Sequence, residues 1–222
     1  MSSLLRSSTA IDELEGTCAK SPYQAVAYYY FSFTDQAIQS VTSMLSSIIR
    51  QLCGARPDTP EWLKNLGSNF RDKGSRPGLK HLEDALWGAA GGFEAVYIIV
   101  DALDECTTSQ DKRATLLKSL TRLQGCSPPQ VHILLTSRKE PEIEEAFATI
   151  LQKPAVQKID LVAFRYAVNH DICIYLQQRF KSPEFNGISD DNKKLAREIL
   201  LEKADGMYVI FLLYVVVNSR LS

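Results

Sequence analysis

Val96-Tyr97-Ile98-Ile99-Val100-Asp101-Ala102-Leu103-Asp104-Glu105-Cys106 is the stretch whose reading decides the fold. Its first five residues are apolar, β-branched or aromatic by type, and read as a strand buried on both faces. The run then breaks into three carboxylates, Asp101, Asp104 and Glu105, within five positions. Strands buried on both faces belong to parallel α/β sheets, whose ligands sit in the crevice beyond the carboxyl ends of the strands. Asp101 at such an end suits a hydrated Mg²⁺, which takes one or two carboxylates plus phosphate oxygens. Asp104 or Glu105 is then placed to orient a water. The spacing equally fits a strand end followed by an acidic helix start, which the helix dipole favours without any ligand.

A second apolar run, Val131-His132-Ile133-Leu134-Leu135, follows about thirty residues later and ends in Thr136-Ser137-Arg138. The order hydrophobic strand, Asp101, small Ala102, apolar Leu103, Asp104-Glu105 resembles the Walker B segment of NACHT-type NTPases, in the STAND class of P-loop signalling switches. Val131 to Arg138 is similar to that family's sensor strand, whose terminal Arg faces the nucleotide phosphates. The resemblance therefore implies Mg²⁺ on Asp101, water activation by Asp104 and Glu105, and phosphate contact by Arg138 with Thr136 and Ser137. It implies ATP or GTP as the nucleotide, and protein partners or self-association as the output.

The composition sets bounds. At 222 residues the chain is long enough for one large or two small domains. A net charge of −1, from 25 basic and 26 acidic side chains, leaves no nucleic-acid footprint. Cys18, Cys53, Cys106, Cys126 and Cys173 are scattered without a CxxC pair, which argues for a reducing compartment rather than a disulfide framework or zinc site. His81, His132 and His170 are far apart, and His132 reads as a core-edge residue. The residues after Met1 do not form a signal peptide. The longest apolar run, Met207 to Val217, is too short to span a bilayer. The expected setting is cytoplasmic, with no membrane contact.

Elsewhere the pattern alternates helix and strand. Leu4, Leu5, Ala10, Ile11 and Leu14 predict a helix ending near Gly16. Ala25 to Phe33 is an aromatic strand, its tyrosines read as strand-face residues rather than a base-stacking platform. Thr34-Asp35 reads as a turn and cap before a helix carrying Val41, Met44, Leu45, Ile48, Ile49 and Leu52. A short helix near Glu61 to Leu66 and a helical stripe from Leu79 to Ala89 precede the central strand. Leu116, Leu117, Leu120 and Leu123 predict a helix between the two key strands, and Pro141 opens another. Val156 to Leu161 alternates at period two, predicting a strand. From Asn169 the period is helical, with Asp171 read as a cap and Gly206 as a turn. Residues 26–35 and the Asn169, Asp171, Ile172 and Lys203-Ala204-Asp205-Gly206-Met207 motifs also resemble fungal NACHT proteins.

The fold class expected is α/β, a parallel P-loop-NTPase-like sheet with flanking helices, lacking the first strand and P-loop and followed by a small helical segment. Residues 1–165 form the incomplete nucleotide-binding core, and residues 166–222 the start of the helical region. No GxxxxGK[ST] occurs in the sequence, so there is no backbone cradle for phosphates. The resemblance places that loop immediately before residues 2–15, and implies an N-terminally truncated module. Without the family's first strand, Val131 to Thr136 is expected to present an open edge and Val156 to Leu161 to lose its neighbour. The chain then reads as a fragment of a nucleotide-operated switch that grips nucleotide weakly alone. The alternative is a non-enzymatic interaction or decoy module of the same fold. If the strands pair as in the family, the Cα atoms of Asp101 and Arg138 fall at one sheet edge within roughly 12 Å.

Overall fold

The computed structural model describes residues 2–32, 40–56, 60–65, 76–106, 115, 118–119, 130–148, 150–152 and 156–204. In chain order these give α1 (Ser2–Cys18), β1 (Gln24–Tyr30), α2 (Val41–Gly54), α3 (Leu79–Ala90), β2 (Ala95–Asp101), β3 (Gln130–Leu135), α4 (Pro141–Ala148), α5 (Arg165–Arg179) and α6 (Asp190–Ala204). Among the described residues the sheet has three strands in the order β1-β2-β3. Both pairings are parallel, with Tyr30 opposite Asp101 and Val100 opposite Leu135. The α/β class with flanking helices is therefore what the chain adopts.

Period-two alternation in three adjacent strands sorts the sheet into two faces. Ala25, Ala27, Val96, Ile98, Val100, Val131, Ile133 and Leu135 belong to one buried cluster with α2 and α3. On α2 the six predicted residues, Val41, Met44, Leu45, Ile48, Ile49 and Leu52, are all buried. Each such side chain contributes about 1.5–3 kcal/mol on leaving water. Truncating fully buried Ile48 to Ala would cost about 2–5 kcal/mol through the lost contacts and the cavity left behind. The opposite face, which includes buried Ala95, Ile99 and Asp101, is the side where α1 crosses β1 and β2. Trp62, on a helical stretch at 61–65, lies against Gly88 of α3, where an added Cβ would come within 3.0 Å of the indole ring.

The outer edge of β1 is occupied by a side chain. In a parallel ladder both backbone groups of one residue point to the same side, and those of Tyr28 point away from β2. The Gln51 amide meets both: Tyr28 N–H donates to Gln51 Oε1 at 3.0 Å, and Gln51 Nε2 donates to Tyr28 O at 2.8 Å. Among the described residues, no strand pairs with the outer edge of β3.

Several elements differ from the sequence reading. Helix α1 continues through Gly16 to Cys18, and Ala19 N–H closes its last turn on Glu15 O at 2.8 Å. The cap of α2 is Ser40, whose Oγ accepts from Ser43 N–H at 3.1 Å; Thr34 and Asp35 lie outside the described residues. The predicted strand over Val156 to Leu161 is not formed: residues 156–160 have no regular structure, and Leu161–Phe164 is a 3-10 turn. A period-two segment needs a neighbour to take its ladder bonds, and among the described residues no strand lies beyond β3 to provide them. Lys158 in that segment bonds Glu144 of α4 at 2.6 Å. Helix α5 starts at Arg165, so Asp171 is an interior residue and not a cap. The predicted residues Leu116, Leu117, Leu120 and Leu123, and Gly206, lie outside the described residues. Among the described residues, no helix is long and apolar enough to cross a membrane.

Candidate functional site

Strand β2 stops at Asp101 because the next residue, Ala102, takes a left-handed conformation at φ 55°, ψ 49°. That conformation costs an L-residue about 1–2 kcal/mol and is worse for a β-branched one. A small side chain there lets the backbone swing at once into the 3-10 turn Leu103–Glu105. Glu105 N–H bonds Ala102 O at 2.8 Å, and Cys106 N–H bonds Leu103 O at 3.2 Å.

The end of β3 holds this turn in place. Thr136 N–H donates to Val100 O at 3.0 Å, continuing the ladder, and Thr136 O accepts from Leu103 N–H at 2.9 Å. The Thr136 hydroxyl accepts from Ala102 N–H at 3.0 Å and donates to Asp101 Oδ1. Asp101 is 1% exposed, and Thr136 and Ser137 are fully buried. Ser137 Oγ donates to Arg138 O at 2.8 Å. Asp104, 4% exposed, receives Arg138 through both oxygens. The backbone N–H of Arg138 donates to Oδ1 at 2.8 Å, and Nε donates to Oδ2 at 2.5 Å. Two charge-assisted bonds to one carboxylate fix the direction of the Arg138 side chain as well as its charge. They also push its proton affinity above the ordinary arginine value; Asp104 is the main cause, burial opposes it, and Glu105 and Glu140 add to it.

The six residues expected at the site are thus at one sheet edge. Asp101 meets Thr136, Asp104 meets Arg138, Glu105 is half-buried in the same turn, and Ser137 lies between the two β3 partners. Sequence reasoning did not single out Tyr30, which ends β1 opposite Asp101. Its phenol is pushed above the usual value, first by burial and then by Asp101, Tyr28, Asp12 and Glu15. The signal available was alignment of strand ends: the aromatic strand terminates level with the carboxylate. Asp12 and Glu15 show that α1 brings negative charge to the same neighbourhood.

Among the described residues, no group of three or more His, Cys, Asp or Glu side chains is arranged to hold a metal ion by itself. A cleft of about 420 Å³ is lined by Glu15, Cys18, Lys20, Gln24, Ala25 and Ala55, among others. It opens at the amino end of β1, six residues or about 20 Å along the strand from the Asp101 level. It is separate from the strand-end cluster.

Residues 3–138 match the family model described as Nephrocystin 3, N-terminal. The chain belongs to that family. The Nephrocystin 3 N-terminal match begins in α1 and ends on Arg138, so it takes in every residue of the strand-end cluster. The chain is also 29% identical over 154 residues to the vegetative incompatibility protein HET-E-1 of Podospora anserina. That similarity covers 64% of this chain and 10% of HET-E-1. The chain therefore spans about a tenth of the length of this curated relative. Both matches agree with the NACHT-type, fungal NLR-like relationship read from residues 96–105 and 131–138. No solved structure matches.

Proposed function

We propose that this member of the Nephrocystin 3 N-terminal family is part of the nucleotide-operated module of a signalling switch, with the carboxyl edge of β2 and β3 facing the phosphates of Mg-ATP or Mg-GTP. The observation that carries the reading is the convergence of Asp101, Thr136, Asp104 and Arg138 at that edge. Open parallel sheets bind ligands in this crevice. Similarity to a vegetative incompatibility protein suits a signalling role. The proposal includes a nucleotide-binding core over residues 1–165 and a helical region from 166, consistent with the start of α5 at Arg165.

The donor chemistry fits Mg²⁺. A carboxylate and a hydroxyl at a strand end are hard oxygen donors, and Mg²⁺ completes its shell with waters and phosphate oxygens. Asp101 is the residue that would hold the ion, with the Thr136 hydroxyl keeping the carboxylate in one orientation. A bound ion would supply charge neutralisation on the phosphates. Asp104 positions Arg138, whose half-exposed guanidinium faces the solvent side of the edge as a fixed positive charge. Glu105 is the carboxylate of the same turn proposed to orient water.

The phosphate grip is the weak part. P-loop proteins hold phosphate by backbone N–H groups and a Lys, and no GxxxxGK[ST] is present in this sequence. Four or five charge-assisted hydrogen bonds, at about 1.5–3 kcal/mol each, sum to about 6–15 kcal/mol, comparable to or above the roughly 8 kcal/mol of a micromolar complex. We therefore expect this chain alone to bind Mg-nucleotide no better than millimolar, without turnover above background. The missing loop also favours a second reading, a non-enzymatic interaction or decoy module of the same fold. Ligand-observed NMR with Mg-ATP and Mg-GTP on the folded chain separates the two. A millimolar, Mg²⁺-dependent signal lost in Asp101→Asn supports the nucleotide edge. No signal at about 10 mM nucleotide leaves the interaction module standing. A micromolar complex would mean another segment cradles the phosphates.

A further inference from the structure

The outer edge of β1 holds a second position like the one Gln51 fills. Backbone groups alternate sides along a strand, and Phe31 N–H bonds Asp101 O of β2 at 3.1 Å, so the odd-numbered residues face β2. Gln24, Val26 and Tyr28 therefore turn their N–H and C=O groups outward. Tyr28 meets the Gln51 carboxamide, and Gln24 N–H donates to Ser21 O at 3.3 Å. Between them, the outward N–H and C=O of Val26 have no bond among the described residues. Gln51 shows which group this edge takes. A primary carboxamide carries its oxygen and an N–H side by side, and so satisfies both groups of one residue. A trans peptide bond points the two in opposite directions and cannot. The second position lies two residues, about 6.6 Å, along the strand from the first.

Val26 lines the cleft at the amino end of the sheet, which lies between the end of α1 and Ala55 just beyond α2. At about 420 Å³ the cleft is within the range of small-molecule sites, about 300–1,000 Å³. Buried Cys18 and Ala25 contribute apolar lining. Glu15 and Lys20, both exposed, supply a carboxylate and an ammonium, and neither forms an ion pair among the described residues. The carboxyl end of α1 adds partial negative charge beside Glu15. A complementary ligand carries a primary carboxamide for Val26, an ammonium for Glu15 and a carboxylate for Lys20. Those three groups on one small skeleton make a free amino acid with a carboxamide side chain. An adenine ring presents a similar donor–acceptor edge, yet leaves both rim charges unmet.

We propose that this cleft binds free glutamine or asparagine, the carboxamide bonding Val26 as Gln51 bonds Tyr28, with the ammonium at Glu15 and the carboxylate at Lys20. The site is separate from the β2–β3 edge and does not depend on the nucleotide reading.

The test uses the full chain, followed by proton–nitrogen correlation NMR while L-glutamine and L-asparagine are added separately. A dissociation constant of about 1 mM is expected for at least one of them. The Val26 amide should be among the largest shifts, with the amides of Asp101 and Thr136 unmoved. L-Glutamate should bind at least about tenfold more weakly, because its side chain offers the Val26 C=O no donor. Two variants of exposed residues assign the charges. Glu15→Gln should weaken the parent amino acid at least about fivefold and leave its N-acetyl form unaffected. Lys20→Gln should do the same for the carboxylate, leaving L-glutaminamide unaffected. No Val26 shift at about 20 mM of either amino acid overturns the proposal, since even millimolar binding would then be saturated. Equal binding of L-glutamate, or tighter binding of adenine than of both amino acids, overturns it as well. The titration of the unmodified chain decides even if a variant fails to fold.

Discussion

Removing Asp104 should destabilise the sheet edge far more than removing its partner Arg138, although the two form one ion pair. Asp104→Ala takes away both acceptors at once. The Arg138 backbone N–H, part-buried and bonded at 2.8 Å, then has no carboxylate to meet. Leaving such a donor unsatisfied costs about 1–3 kcal/mol. The side-chain arm, Nε to Oδ2 at 2.5 Å, adds less, because the Arg138 side chain is 51% exposed. Screening by solvent holds that arm to about 1 kcal/mol or below. The expected total for Asp104→Ala is about 2–3 kcal/mol. Arg138→Ala keeps the backbone bond, and removing a rim side chain admits water to the freed carboxylate oxygen, so about 1 kcal/mol is expected. In the double variant the Arg138 truncation should be nearly silent, giving a coupling energy of about 1 kcal/mol that shrinks in 1 M salt. Urea unfolding followed by far-ultraviolet circular dichroism measures all four corners of the cycle. If Arg138→Ala costs as much as Asp104→Ala, or if Asp104→Ala costs under about 0.5 kcal/mol, the backbone bond is not what holds the edge.

Three further outcomes are expected. Ala102→Gly relieves a left-handed cost of about 1–2 kcal/mol while adding about 0.4–1 kcal/mol of unfolded-chain entropy, for a net gain of up to about 1 kcal/mol; Ala102→Val should lose about 2 kcal/mol or more, both read from urea midpoints. Tyr30 holds its proton more tightly in the folded protein than at its ordinary value of 10.0, so its contribution is complete below pH 10 and is lost as pH rises through the raised value. Ultraviolet difference titration of the native chain against Tyr30→Phe should show one phenol ionising late. Glu144 has its proton affinity lowered from 4.5, chiefly by the Lys158 hydrogen bond. Stability from that pair is present above the ordinary value and lost as pH falls through the lowered one, so Lys158→Ala should differ from the parent at pH 6 and converge with it at acid pH in thermal melts.

The parts of this fold that were legible in the sequence are those where local pattern and tertiary role coincide. β2 is a short β-branched run buried in a parallel sheet, β3 a short apolar run beside it, and α2 carries one apolar stripe that meets one face. The strand-end chemistry followed from these, because a parallel sheet brings its carboxyl ends to one edge whatever the crossover does. Pairings across that edge were not legible. Asp104 and Arg138 are 34 residues apart, and nothing in either window says that this carboxylate, and not Asp101 or Glu105, receives the guanidinium. Val156 to Leu161 has a strand's alternation, but strand identity is a property of two segments, and a single window shows one. Asp171 failed as a cap for a related reason: Ile172, Ile174 and Leu176 fit a helix beginning at Asp171 or one already running from Arg165. Tyr30 was hidden by its neighbours, since one tyrosine in a row of three carries no mark of facing a carboxylate.

Gln51 of α2 bears on how the β1 edge could meet another sheet. Gln51 supplies the donor and acceptor that an incoming strand would offer to Tyr28, so at that residue the edge is already occupied. An endless fibre of stacked sheets needs two joinable rims per molecule, one to give and one to receive. With the β1 rim occupied at Tyr28, head-to-tail stacking would have to displace Gln51 to repeat. A joint between two β3 rims, by contrast, would be its own twofold partner, complete once two chains have met. A side-chain amide on one tyrosine thus withholds, at that position, one of the two contacts that head-to-tail stacking would repeat.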